Sequence, residues 1–301
     1  MSTTPACVER PVSMDCEGER LLGVICEPAA ASGRSDLGVV VVVGGPQVRS
    51  GSHRQFVQLA RALATGGWPV LRFDVRGMGD STGALRSFEQ LTPDIGVAID
   101  ALTAQCPGVR RVLLWGLCDG ASAALLYLDE RRDARVAGLC LVNPWVRSEA
   151  SLARTHVKHY YRQRVMQPAF WLKLLRGGVG MGALRGLAGN LREARGTSST
   201  GDGPAATPAA ALPFQSRMAR AWAGFGGPVL LALSGDDYTA REFEEYAAAD
   251  PAWKGLTSRA RVRLAHVGGA DHTFSAAPHR LALERMLADW LHAEMRDMEV
   301  A

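Results

Sequence analysis

The sequence predicts an α/β chain: a mostly parallel central sheet with helices on its faces, interrupted by a helical insertion. Three observations carry this expectation. Apolar runs such as Gly38–Val43, Val70–Phe73, Val112–Trp115, Val136–Val142, Pro228–Leu233 and Val262–Val267 alternate with segments of helical apolar spacing, the pattern of parallel strands joined by crossover helices. Gly116-Leu117-Cys118-Asp119-Gly120 links one run to a helical segment, with glycines where a tight turn leaves no room for a Cβ. Residues 147–225 break the alternation, as an insertion in a regular sheet does.

The elements follow in chain order. Leu21–Cys26 reads as a strand paired with the segment near Val12. Gly38–Val43 is β-branched throughout, the signature of a strand buried on both faces. Gly44-Gly45-Pro46 stops it, and Arg54–Ala64 places Phe56, Val57, Leu59, Ala60 and Leu63 at helical spacing. Val70–Phe73 is the next strand, followed by the turn Asp74–Ser81, in which an Asp–Arg pair is expected to fix the glycine-rich bend. A helix from about Pro93 to Ala104 leads to the strand before Cys118. Beyond the cysteine come a helix and the strands Val136–Val142, Pro228–Leu233 and Val262–Val267, all expected to be buried. A helix near Arg241–Ala248 and a last helix at His279–Glu294 complete the set. The core is thus assigned to 1–146 and 226–301, and the insertion to 147–225. Within the insertion, Ala153–Val165 and Phe170–Leu175 read as helices, and the Gly, Ser, Thr, Ala and Pro of 196–213 read as a flexible linker.

Composition bounds the function. The 301 residues are 47% hydrophobic and 21% charged, with a net charge of +4, which does not by itself point to nucleic acid. The first residues lack the apolar stretch of a signal peptide, and no run approaches a membrane span; a cytoplasmic location is the expectation. The six cysteines form no C-x-x-C pair and no metal-like spacing with histidine, and four lie in or beside apolar runs as small core residues. No cofactor or metal is expected. Gly44-Gly45 and Gly77-Met78-Gly79 match neither a dinucleotide fingerprint nor a P-loop.

The remaining residue types suit acyl transfer, which needs a nucleophile, a base, a group that orients the base, and donors for the oxyanion. Cys118 is the candidate nucleophile. His272, in Gly268–Phe274 after the last strand, is the base. His156 and His159 fall in the insertion, His53 near the first glycine loop, His279 and His292 in the last helix, and His266 reads as packed inside its strand. Asp237 is the orienting acid, with Asp236 as the alternative; the other of the two is left as a helix N-cap or a solvated loop carboxylate. The oxyanion donors are the Asp119 N–H and one from the loop after Val43: Gly45 first, Gln47 second, since Pro46 has no N–H. Tyr160, Tyr161 and Trp171 are candidates to line an acyl pocket, alongside the plainer role of packing the insertion.

Cys118 between its two glycines, the acid turn Asp74–Ser81 and the late His272 together resemble the α/β-hydrolase superfamily across nearly the whole chain. The segments Val43-Gly44-Gly45-Pro46-Gln47, Gly51–Phe56, Arg72-Phe73-Asp74, Gly116–Asp119, Asn143–Arg147 and Thr239–Phe243 are similar to the exosortase A system-associated hydrolase 1 family. That resemblance implies a bacterial cytoplasmic acyl hydrolase or transferase encoded beside exopolysaccharide and exosortase genes. Dienelactone hydrolases also carry cysteine at this turn, in a G-x-C-x-G-G pattern; here Ala121 replaces the last glycine.

Cysteine in this position favours thioesters or activated esters, because thiolate attack on a thioester is nearly isoenergetic. From Arg147 to Arg195 ten Lys and Arg accompany two Glu, a net +8, so the rest of the chain sums to −4. Besides a solvated face, such an insertion suits an acyl carrier protein or a coenzyme A thioester. The expected activity is therefore that of a thioesterase or acyltransferase; a carboxylesterase or lactonase, and a catalytically silent scaffold, are the alternatives.

Overall fold

The computed structural model describes residues 6–29, 35–147 and 212–300. Eight strands form one sheet: β1 (Cys7–Cys16), β2 (Glu19–Pro28), β3 (Leu37–Val42), β4 (Val70–Phe73), β5 (Arg111–Leu117), β6 (Val136–Val142), β7 (Val229–Ser234) and β8 (Val262–Val267). Their order is β1-β2-β4-β3-β5-β6-β7-β8. From β4 onward every neighbouring pair is parallel, while β1 and β2 pair antiparallel with each other and β2 antiparallel with β4. Val12 lies opposite Gly23, as the pairing of Leu21–Cys26 with the segment near Val12 requires. The hairpin turns on Glu17 and Gly18, at φ +53° and +83°, the left-handed pair that suits the twist of a two-residue loop.

Alternation along the strands divides the apolar side chains between two cores. Val40, Val42, Leu71, Phe73, Leu114, Leu139, Leu141, Leu231 and Leu233 face one side. There α2 (Thr92–Gln105), α3 (Asp119–Arg131), α4 (Phe214–Gly224) and α5 (Tyr238–Ala249) cover them with Ile95, Ile99, Leu125, Met218, Trp222 and Phe243. Val39, Val41, Val43, Leu113, Trp115, Cys140, Val142 and Leu230 face the other side. α1 (Gln55–Thr65) and α6 (Ala277–Val300) cover these with Phe56, Leu59, Leu63, Leu283, Leu287 and Trp290. All six cysteines are free, and Cys16, Cys26, Cys106 and Cys140 are buried. No helix among the described residues is long and apolar enough to cross a membrane.

The structure differs from the sequence reading in four places outside the site. The chain divides into Met1–Val146 with Leu212–Ala301, and Arg147–Ala211. α4, expected in the insertion, thus belongs with the sheet, where Trp222 and Phe243 each meet Trp253 edge-on. β8 is an edge strand, and of its six residues only Val267 is buried. His266 consequently is not packed; it is exposed, with Nε2 at 2.8 Å from Glu244 Oε1. Asp74 and Arg76 do not pair with each other. Asp74 is held by Arg49, whose backbone N–H donates to Oδ1 at 2.6 Å. Arg76 reaches Asp94 in α2, Nη2 donating to Oδ2 at 2.9 Å, and Glu17 at the hairpin. The expected insertion helices, Tyr160, Tyr161, Trp171 and the basic stretch lie outside the described residues.

Candidate active site

β5 ends at Leu117 and α3 begins at Asp119, so Cys118 alone makes the turn between them. It does so at φ +59° and ψ −125°, a conformation that costs a non-glycine residue about 1–3 kcal/mol. The surroundings over-determine it. The Cys118 N–H donates to Val142 O at 2.9 Å, and the Cys118 carbonyl accepts the Ala121 N–H at 3.1 Å and the Trp145 N–H at 3.2 Å. A Cβ on Gly116 would lie 2.5 Å from the Ala121 nitrogen, and one on Gly120 would collide with the Val42 carbonyl. These two close approaches are the physical reason for both glycines.

Asp237 and His272 come from the ends of β7 and β8, and the structure brings them together: His272 Nδ1 lies 2.8 Å from Asp237 Oδ2. Cys118 lies near enough to the imidazole to favour its charged form. Asp237 also caps α5, its carboxylate accepting the Thr239 N–H at 3.1 Å and the Ala240 N–H at 3.2 Å. The cap and the histidine partner are therefore one residue. Asp236 points to solvent, 3.9 Å from Arg241 Nη2. Burial raises the Asp237 carboxyl, but the bond to His272 and the two amide bonds outweigh it and leave it below the usual range. The bond to Asp237, and after it the nearby Cys118, push His272 up to about 10. The site thus favours an imidazolium paired with the Asp237 carboxylate.

The sequence reading did not assign a role to Asn143, yet it locks this corner. It is fully buried at φ +45°. Its Nδ2 donates to Ser234 Oγ at 2.8 Å and to the His272 carbonyl at 3.1 Å, while its Oδ1 accepts the Ser234 N–H at 2.8 Å. Ser234 Oγ donates in turn to the Asp271 carbonyl at 2.9 Å. The ends of β6 and β7 and the histidine loop are thereby tied through a single amide.

The expected oxyanion donors of the glycine loop are already engaged within the chain. The Gly45 N–H is not free: it donates to Asp119 Oδ2 at 2.7 Å. Gln47 turns its carbonyl toward its own loop, where Oε1 lies 3.4 Å from the Ser52 nitrogen and 3.5 Å from Gln55 Nε2. The Asp119 backbone stands at the first turn of α3, as expected, and its side chain sits over the glycine loop. Burial raises the Asp119 carboxyl, against the N–H groups of Gly45, Gly120 and Asp119 itself, which lower it. Among the described residues no group of three His, Cys, Asp or Glu gathers where a metal ion could sit.

Comparison with known proteins follows the same lines. The family model described as serine aminopeptidase, S33, matches residues 35–180. Human protein ABHD12B is 35% identical over 140 residues, which cover 44% of this chain and 38% of that protein, so the match spans well under half of its length. Among solved structures, the esterase Pf2001 of Pyrococcus furiosus superposes with a TM-score of 0.61 at 15% identity, over 98% of this chain and 97% of that one. Est1E of Butyrivibrio proteoclasticus, solved with ferulic acid bound, gives 0.59 at 15% identity over 95% and 99%. A serine hydrolase homologue from Coxiella burnetii gives 0.54 at 15% identity over 94% and 97%.

Proposed function

We propose a cysteine-dependent acyl hydrolase or acyltransferase for this chain, which has the α/β-hydrolase fold. The observation that carries the reading is the line Asp237–His272–Cys118, with the sulfur held on a strained turn at the head of a helix. In this mechanism the Cys118 sulfur bonds to the acyl carbon, and the carbonyl π pair moves onto oxygen. Backbone N–H groups at the head of α3 and the Gly44-Gly45 loop receive that charge. Collapse re-forms the carbonyl and breaks the bond to the leaving group, which takes the proton from His272. Water or another acceptor then attacks the thioester carbon and gives its proton back to His272, the carbon–sulfur bond breaks and Cys118 leaves as the thiolate, while Asp237 keeps the ring oriented and its cation stabilised.

Thioesters are the favoured donors. Exchange of one thioester for another is nearly isoenergetic, whereas forming a thioester from an amide is uphill. The net +8 between Arg147 and Arg195 supports an acidic or phosphorylated carrier such as an acyl carrier protein or coenzyme A. The motif resemblance adds a link to exosortase and exopolysaccharide systems. A simple-ester reading also has support, since structural neighbours of the same fold are described as esterases. Acylation with acetyl-coenzyme A and with p-nitrophenyl acetate, followed by intact-protein mass for the wild type and Cys118→Ala, separates the two. Adducts only from the thioester, and only with Cys118 present, are the expected result. Adducts from the ester alone establish the esterase.

A further inference from the structure

The side chain of Asp119 reaches from the head of α3 to the glycine loop after β3. Its Oδ2 takes the Gly45 N–H at 2.7 Å. The Gly45 and Asp119 amides are the pair expected to bind the carbonyl oxygen of a substrate acylating Cys118. The fit is built in. A methyl group on Gly44 would collide with Asp119 Oδ1 and with the Gly120 nitrogen, so only glycine leaves room for the carboxylate there. Gly45 bends away at φ +59° and aims its N–H at the carboxylate. Among the described residues no Lys or Arg forms a salt bridge with Asp119. The negative charge is held by a backbone donor, as an oxyanion is held.

We infer that in the resting enzyme the Asp119 carboxylate occupies the oxyanion hole of Cys118, and that an acyl donor reacts only by displacing it. This rests on Cys118 being the nucleophile. Asp119 is then a specificity-determining residue. Every donor must break a charge-assisted hydrogen bond before its own oxygen reaches Gly45. A donor that binds through a long acyl chain or a carrier can spend remote binding on that displacement, and a small ester cannot. Gly45 is exposed, so the displaced carboxylate has a route to solvent. The bond-making is unchanged: sulfur joins the acyl carbon, the π pair moves to oxygen, and the leaving group departs with the His272 proton. Only the occupant of the donors differs before and after.

The test compares wild type, Asp119→Asn and Asp119→Ala by the pre-steady-state burst of coenzyme A released from acetyl-coenzyme A. Alkylation of Cys118 by iodoacetamide runs alongside, because displacement of iodide develops no oxyanion and reads only the thiolate. The carboxamide still accepts from Gly45, but without charge, so the acylation rates should rise in the order wild type, Asn, Ala. The Ala variant should gain roughly 10- to 100-fold, the range for one hydrogen bond to a charged group, while alkylation stays within a few-fold. Asn serves as the second variant if Ala folds poorly. Acylation at or below the wild-type rate in both variants, with alkylation intact, overturns the inference and leaves the nucleophile standing. Alkylation without any acylation in all three proteins overturns the nucleophile reading and the inference with it.

Discussion

Replacing Asn143 by alanine is expected to destabilise the fold by about 3–7 kcal/mol. The side chain makes three hydrogen bonds, to the Ser234 N–H, to Ser234 Oγ and to the His272 carbonyl. Truncation leaves the buried Ser234 N–H and the His272 carbonyl without those partners, at about 1–3 kcal/mol each. Ser234 Oγ loses less, because it keeps its bond to the Asp271 carbonyl. Alanine must also hold φ +45°, where asparagine is tolerated and alanine costs about 1 kcal/mol more. Urea unfolding followed by tryptophan fluorescence measures the sum as a lowered midpoint at constant slope. Asn143→Gly relieves the backbone part and keeps the hydrogen-bond part, so it should recover about 1 kcal/mol and no more. A loss below about 1 kcal/mol in the alanine variant, with unchanged slope, would refute the reasoning, since the tether would then contribute little.

Three further outcomes follow from the same geometry. Asp94→Ala strips the carboxylate from the buried Arg76 guanidinium and should cost about 3–5 kcal/mol in the same unfolding experiment; a cost near zero would mean that Glu17 alone suffices. Gly116→Ala drives a methyl to 2.5 Å from the Ala121 nitrogen, so circular dichroism should find it unfolded or its Cys118 turn rebuilt with acylation lost; wild-type acylation would contradict the close packing. For Asp237→Asn the sign depends on pH. His272 is raised from 6.5 to about 10, so its stabilisation is complete below 6.5 and fades as pH climbs toward 10. Asp237 is lowered from 3.8, so its stabilisation is present above that value and lost as pH falls through the lowered one. The stability gap between wild type and Asp237→Asn should therefore be widest between about pH 4 and 6.5 and close toward pH 10; a gap constant from pH 5 to 10 would contradict it.

Much of this site is legible in the chain because its signals are local. Gly116 and Gly120 flank Cys118 within one turn, and strand ends mark the loops that carry Asp237 and His272. α4 also had a readable signal, Phe214, Met218 and Trp222 at four-residue spacing, masked by its place beside a Gly- and Ala-rich stretch. What the chain hides is pairing across distance. A lone asparagine has no pattern that announces a serine 91 residues away. Asp74 and Arg76 stand two apart in sequence, yet each finds a different partner once strand and helix pack. The exposure of β8 comes from its place in the strand order, which its apolar spacing does not encode. Gly45 is correctly placed as a loop with a free-turning backbone, but only the folded chain shows its N–H already taken by Asp119.

The most direct measurement is peptide mapping of the intact acyl adduct after millisecond quench with acetyl-coenzyme A, for wild type, Cys118→Ala and His272→Ala. One acetyl group on the peptide holding Cys118 in the wild type, none in Cys118→Ala, and far slower labelling in His272→Ala is the predicted result. An acetyl group at another residue, or turnover that survives Cys118→Ala, would contradict the account at its centre.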